Sequence, residues 1–304
     1  MRFTSLAPIA LAIGPSVVAA TGRLGLAIGT KLGDETSTYC KTKSDYVKEF
    51  EAIKSQTTLV RGYDASDCDF AREALPAAKQ TGFKVILGIW PDVPESYAAG
   101  KAAVLQYAPE YEDQVYAVTV GSETLYRGNF TGSELFNDYI KDVKDALPKG
   151  IKVGTADSWN KYDDGTADAV IKGADIVLVN AFAYWQGQDI DNATATFFDD
   201  IARATTHIQD VKGSTDGIEI IVGETGWTTE GTKYKAAQPS VENAQKYWKT
   251  AICGIRDWGV DVFAFEAFDE LWKPDSISDT GVAADEKHWG VYDDQLKPKY
   301  DLSC

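Results

Sequence analysis

Eight short runs rich in Val, Ile, Leu and Phe recur along the chain, and most of them are apolar throughout rather than alternating with polar residues. Continuous apolar runs are typical of strands that are buried on both faces, as they are in a parallel sheet. The pattern therefore predicts eight strands, at residues 22–29, 58–64, 84–90, 115–123, 152–158, 176–185, 219–227 and 261–270.

Stretches with helical periodicity separate these runs, for example at residues 44–54, 69–81, 132–146, 192–209 and 241–258. Alternating strands and helices favour α/β architecture, and eight such units in 304 residues fit a closed (β/α)8 TIM barrel best. The alternative is an open doubly wound sheet, but no Gly-x-Gly-x-x-Gly sequence follows the first strand. No clear linker or short repeat interrupts the chain, so we expect one domain over residues 21–304.

The N-terminus is typical of a secretory signal peptide. Arg2 supplies a positive charge, an apolar stretch follows at residues 6–13, and small residues at 18–20 resemble a cleavage site. The apolar stretch is too short to cross a bilayer. We therefore expect residues 1–20 to be removed from a secreted protein that has no membrane span.

All four cysteines lie in the expected mature chain, and an even number of cysteines in an exported protein favours disulfides. Of the three pairings that four cysteines allow, sequence proximity and the barrel layout favour Cys40–Cys68 and Cys253–Cys304. No spacing among these residues is typical of a zinc site. Export also predicts N-glycosylation at the two sequons, Asn129 and Asn192.

The chain is acidic, with 30 Lys and Arg residues against 46 Asp and Glu residues and a formal net charge of −16. This charge repels polyanions, so nucleic acid and acidic membrane surfaces are disfavoured as partners. A neutral polymer is compatible with it, although acidity also serves simply to keep a secreted protein in solution. We expect a monomer that needs neither a metal nor an organic cofactor.

Aromatic residues concentrate where a barrel carries its function, at the C-terminal ends of the strands. A single Trp at such a place is often only a packing residue, but several rings on one face suit the apolar C–H faces of sugar rings. Trp248 and Trp258 lie in a predicted helix, so we assign them to packing. The five tryptophans at or just after a predicted strand end are Trp90, Trp159, Trp185, Trp227 and Trp272.

Glu123 and Glu224 each end a strongly apolar strand, where a charge is costly unless it is paired or solvated in a cleft. They belong to the fourth and seventh strands, on opposite walls of a closed barrel, which suits two carboxyls that flank one glycosidic bond. Two alternatives remain open. In the first, Glu123 and Glu224 are simply exposed carboxylates at strand ends. In the second, acidic residues bind calcium or magnesium, although no loop has the regular spacing of oxygen ligands that such a site uses.

The two glutamates lie in motifs that resemble glycoside hydrolase family 17. The motifs are VTVGSETLYR at residues 118–127 and VGETGW at 222–227, with support from FDELWK at 268–273 and RGYD at 61–64. The resemblance covers nearly the whole mature chain and is closest to the fungal cell-wall branch of β-1,3-glucan hydrolases and glucanosyltransferases. It implies a secreted, cell-wall enzyme that cleaves β-1,3-glucan with retention, for which the carboxyls lie about 5–5.5 Å apart.

The resemblance also implies residue roles, with Glu123 as the acid/base and Glu224 as the nucleophile. Ser122 is a departure from the wider clan, in which Asn usually precedes the acid/base and binds the sugar 2-hydroxyl. The shorter side chain is expected to contact that hydroxyl less directly or through water. With the strand-end aromatics, the expected substrate-binding residues are Tyr63, Ser122, Tyr184, Trp227, Glu270 and Lys273.

Hydrolysis and glycosyl transfer share their first step and differ only in the acceptor, so the sequence leaves both open. A different class is a glucan-binding, structural wall protein that is catalytically weak. The intact carboxylate pair disfavours this class, because a degenerate protein would often have lost one member.

Overall fold

The computed structural model describes residues 21–214, 216–274, 276–277, 283–284 and 286–304. Eight parallel strands form a closed barrel in the order of the chain, and the last strand pairs with the first. The predicted (β/α)8 TIM barrel is therefore confirmed. The expected signal peptide at residues 1–20 lies outside the described residues.

The barrel strands are β1 Leu24–Ala27, β2 Leu59–Arg61, β3 Lys84–Ile89, β4 Val115–Ser122, β5 Lys152–Ser158, β6 Ile176–Asn180, β7 Glu219–Thr225 and β8 Val262–Ala264. The helices are α1 Lys43–Ile53, α2 Phe70–Thr81, α3 Pro94–Tyr107, α4 Gly132–Glu134, α5 Lys141–Ala146, α6 Trp159–Asp163, α7 Asp168–Gly173, α8 Ile190–Lys212, α9 Val241–Tyr247 and α10 Cys253–Asp257. Short π-helical segments, Leu135–Ile140 and Trp248–Ile252, join α4 to α5 and α9 to α10.

Two apolar layers explain why the strand runs are apolar throughout. One layer packs the outer faces of the strands against the helices. The other fills the barrel, where Ile86, Leu178, Ile221 and Phe263 meet from different strands. Strand residues alternate between these layers, so both faces are buried, as the sequence predicts.

The structure differs from the predicted pattern at several strand ends. β1, β2 and β8 end at Ala27, Arg61 and Ala264, earlier than predicted, because the residues that follow leave the ladder to form the upper rim. An antiparallel hairpin that the pattern did not predict, Lys31–Asp34 with Ser37–Cys40, rises after β1. We call this hairpin the arm.

Two disulfides form with the expected pairing. Cys40 at the end of the arm bonds to Cys68 after β2, and Cys253 at the start of α10 bonds to Cys304. In the described part of the chain, no helix is long and apolar enough to cross a membrane. The sequon residues Asn129 and Asn192 are both exposed, so their glycosylation remains a prediction.

Candidate active site

Glu123 is placed by an irregular end to β4. Gly121 has a φ of 97° and Glu123 a φ of 57°, and the pairing with β5 shifts register between Thr119 and Ser122. The positive φ at Gly121 suits a residue that has no Cβ. The Glu123 amide still donates to the Ala156 carbonyl at 2.9 Å, so the acidic side chain sits at the barrel rim rather than on a free loop.

Glu224 lies within β7 and is held from across the barrel by Arg61. The Arg61 side chain is 0% exposed, and its Nη1 donates to Glu224 Oε1 at 2.8 Å and to the Gly223 carbonyl at 3.0 Å. Arg61 Nη2 donates to Ser122 Oγ at 3.1 Å, and this hydroxyl lies 3.4 Å from Glu224 Oε1. Hydrogen bonds to a charged partner fix a carboxylate in one orientation. Ser122 therefore contacts the Glu224 carboxylate directly.

Asn180 links the two glutamates. It is the register partner of Glu224 on the neighbouring strand β6, and its Nδ2 lies 3.2 Å from Glu123 Oε1. Burial and the nearby charge of Glu224 raise the pKa of Glu123 to about 7, against the opposing effect of the Asn180 hydrogen bond. A carboxyl with this pKa exchanges a proton near neutral pH, as a general acid must.

Asp157 holds the loop that follows Glu123. Its carboxylate accepts backbone hydrogen bonds from Leu125 at 2.8 Å, Tyr126 at 3.1 Å and Ser158 at 2.9 Å. On the other side of the loop, Arg127 Nη2 donates to the Ser122 carbonyl at 2.6 Å. The backbone around the acidic residue is therefore fixed from both sides.

A second buried acidic group surrounds Lys273. Its Nζ lies 2.8 Å and 2.9 Å from the two oxygens of Glu266 and 3.0 Å from Glu270 Oε2. Burial and the charge of Glu270 raise the pKa of Glu266 well above its usual value, and Lys273 opposes this. The expected pair Glu270 and Lys273 is thus joined by Glu266, which the sequence analysis did not single out.

Tyr63 follows β2 and faces both acidic groups. Burial and the charges of Glu224, Glu266 and Glu270 raise its pKa well above the usual value, so the hydroxyl stays protonated. Within the described residues this buried hydroxyl has no hydrogen-bond partner. Among the residues described, its O–H is therefore an unpaired hydrogen-bond donor beside the two acidic groups.

Tyr184 and Trp227 do not line an open surface. They are 1% and 3% exposed, with ring centroids 5.0 Å apart, and the Tyr184 hydroxyl donates to the Thr232 carbonyl at 3.1 Å. Trp185 is only partly buried, and its ring contacts Tyr184 edge-on at 5.0 Å and stacks on Trp289 at 5.4 Å. The substrate contacts expected of Tyr184 and Trp227 remain predictions, and the structure shows both residues packed in the core beside Trp185 and Tyr247.

The other tryptophans divide between the rim and the opposite end of the barrel. Trp90, Trp159 and Trp272 are partly exposed. Trp248 is buried, as expected, whereas Trp258 is 63% exposed and packs only one part of its ring, edge-on against Phe198 at 4.3 Å between ring centroids. It follows α10 at the turn that leads into β8, where a helical pattern cannot tell an end residue from a core residue.

For four of the site residues, the sequence indicates only a position at a strand end and not a role. Arg61, Asp157, Asn180 and Glu266 all lie at strand ends, but an isolated polar residue does not reveal its partner on another strand. Over the described ranges, no group of three or more His, Cys, Asp and Glu side chains is arranged to hold a metal ion. The buried carboxylates Glu224 and Glu266 are paired with Arg61 and Lys273.

Comparisons with known proteins show the family of the chain. Residues 25–290 match the model of the BtgE/BtgC glycoside hydrolase domain. A glucan 1,3-beta-glucosidase of Arthroderma benhamiae is 52% identical, over 100% of this chain and 98% of that protein. The crystal structure of a glycoside hydrolase family 17 beta-1,3-glucanosyltransferase from Rhizomucor miehei is 31% identical, with a TM-score of 0.77 over 91% of this chain and 96% of that one.

The chain belongs to glycoside hydrolase family 17. An active-site mutant of the Rhizomucor miehei enzyme, solved with laminaritriose, superposes with a TM-score of 0.76 at 31% identity, over 91% of this chain and 95% of that one. The family 17 resemblance seen in the sequence is thereby confirmed. Glu123 and Glu224, which the sequence motifs predict as the catalytic pair, lie at the same rim of the barrel, and their roles stay predictions.

Proposed function

We propose that this protein is a retaining glycoside hydrolase that cleaves β-1,3-glucan and also transfers the cleaved chain to a sugar acceptor. The observation that carries the proposal is the unequal environment of the two glutamates. Glu224 is paired with the buried Arg61 at 2.8 Å, whereas Glu123 has a pKa raised to about 7. A carboxylate held by a buried cation and a second carboxyl whose pKa is raised are what the nucleophile and acid/base roles require.

In the first step, the Glu224 carboxylate attacks the anomeric carbon while Glu123 gives its proton to the glycosidic oxygen. One C–O bond forms to the enzyme, one C–O bond to the leaving sugar breaks, and the new hydroxyl leaves with the proton. Ser122 and Arg61 hold the attacking carboxylate during this step. Asn180 holds Glu123.

In the second step, Glu123 takes a proton from the acceptor, whose oxygen displaces Glu224 from the anomeric carbon. Water as the acceptor gives hydrolysis, and a sugar hydroxyl gives a longer chain. Two inversions give net retention. No step requires a metal or an organic cofactor.

The names of the relatives support the substrate and the place of action. The Arthroderma benhamiae relative is a glucan 1,3-beta-glucosidase, and the Rhizomucor miehei enzyme is a beta-1,3-glucanosyltransferase. Both act on β-1,3-linked glucan by name, so we assign that substrate to this chain. Fungal relatives of this kind and two disulfides favour a secreted protein of the cell wall.

Product analysis on laminari-oligosaccharides tests the proposed function. We expect shorter products at low substrate concentration, and products longer than the substrate when the concentration is raised. A catalytically inactive Glu224→Gln variant is the control. Shorter products alone would leave hydrolysis and remove transfer, and no turnover at all would return the protein to the class of glucan-binding wall proteins.

The pH dependence should follow Glu123. Because the protonated form donates to the leaving oxygen, kcat/KM should fall as pH rises through about 7, the pKa of this carboxyl in the free enzyme. Loss of the Asn180 hydrogen bond, which favours the ionised form, should move this descending limb to higher pH in Asn180→Ala. If the descending limb of Asn180→Ala stays at the wild-type pH, a group other than Glu123 controls it.

A further inference from the structure

A cavity of about 300 Å³ lies between the arm and the loop after β8. One wall is formed by Lys31 and Tyr39 of the arm, and the opposite wall by Glu270 and Trp272. This volume is at the lower end of the range for ligand sites. Glu270 also bonds to Lys273 in the acidic group beside Tyr63, so the cavity adjoins the candidate active site.

The chemistry of this cavity suits a sugar. Tyr39 is 57% exposed on a short hairpin strand. Trp272 is partly exposed, and Lys31 Nζ covers one face of its ring at 5.1 Å from the ring centroid. Two polar atoms of lining residues, Trp272 Nε1 and Glu49 Oε2, are buried without a hydrogen-bond partner among the residues described. Aromatic faces together with unsatisfied polar atoms match the apolar C–H faces and hydroxyls of a glucosyl unit.

The arm is fixed, so the cavity is formed before any ligand binds. Cys40 at its end is bonded to Cys68, and Thr30 Oγ1 at its base donates to Asp67 Oδ2 at 2.5 Å. Glu35 at the tip forms an ion pair with Lys287. A preformed site loses little conformational entropy on binding.

The order of the strands places the cavity on the donor side. Glu123 protonates the leaving oxygen from β4, so the departing sugar lies towards β4. β4 and β8 are four strands apart in a closed ring of eight, and the cavity lies beside β1 and β8. The part of the glucan chain that stays on the enzyme therefore points towards the arm.

We propose that this cavity is an additional subsite for the donor part of a β-1,3-glucan chain, in which Tyr39 and Trp272 contact one glucosyl unit. The proposal rests on the proposed function. It assigns a binding role to the arm, which none of the catalytic motifs includes.

Nitrophenyl β-laminari-oligosaccharides of increasing length test this subsite, because release of nitrophenol requires the whole sugar chain to occupy the donor side. For the wild type we expect kcat/KM to rise with chain length. In Tyr39→Ala, the ratio of kcat/KM for the longest to the shortest substrate should fall about tenfold, the loss expected from removing one aromatic anchor. Tyr39→Phe keeps the ring and should retain the ratio.

Trp258→Ala is the matched control, because Trp258 is also an exposed aromatic residue but lies at the opposite end of the barrel. An unchanged ratio in Tyr39→Ala, or no gain with length in the wild type, would overturn the proposal. Absence of turnover on every substrate would instead defeat the proposed function. Calorimetric binding of laminari-oligosaccharides to the wild type and to Tyr39→Ala would then decide the subsite, and equal affinities would reject it.

Discussion

Replacing Glu224 with Ala is expected to lower turnover of laminari-oligosaccharides by a factor on the order of 10⁴ or more, because no glycosyl-enzyme can form. Glu123→Ala should lower it roughly 10²–10⁴-fold, the usual contribution of a general acid. The two variants should differ most on activated aryl glycosides. Their aryloxide leaving groups need no proton, so Glu123→Ala should retain much of the rate of the first step. Glu224→Ala should not, because it lacks the nucleophile.

Azide separates the two roles further. In Glu224→Ala the vacated space lies beside Arg61, whose cationic side chain suits a small anion. Azide there should displace the aryloxide directly and give the α-glycosyl azide. In Glu123→Ala, azide should attack the glycosyl-enzyme instead and give the β-glycosyl azide. The opposite assignment of products would exchange the two roles, and the same anomer from both variants would contradict the double displacement.

The fold could be predicted because it depends on a repeated pattern. Each strand run is apolar on both faces, and the helical stretches between the runs leave few other arrangements. The strand ends were predicted less well, since β8 stops at Ala264 and the polar residues up to Glu270 build the rim instead. A run of sequence does not show where backbone pairing stops.

The candidate site could be predicted only as far as its motifs extend. Glu123 and Glu224 lie in two such motifs, but the contacts that distinguish them come from residues far along the chain. Arg61 is 163 residues from Glu224, and Asn180 is 57 residues from Glu123. The arm was missed for a similar reason, because its short polar strands have no apolar periodicity. Contacts of this kind form only when the barrel closes, so no local sequence pattern indicates them.

Arg61→Leu is expected to lower the free energy of unfolding by about 3–5 kcal/mol, the usual cost of leaving one member of a buried ion pair alone. Glu224 is only 7% exposed, so water cannot replace the guanidinium fully. The kcat/KM should also fall roughly 10²–10³-fold, because Glu224 and Ser122 lose the donor that orients them. Urea unfolding and steady-state kinetics measure the two effects.

A second variant tells whether the unpaired charge is the cause. In Arg61→Leu/Glu224→Gln the buried carboxylate is replaced by a neutral amide of similar shape, so most of the lost stability should return although the enzyme stays inactive. Arg61→Lys keeps the positive charge but cannot reach Glu224 and Ser122 with separate nitrogens. It should recover more stability than activity. If the double variant is no more stable than Arg61→Leu, the loss comes from packing around Arg61 and not from the charge on Glu224.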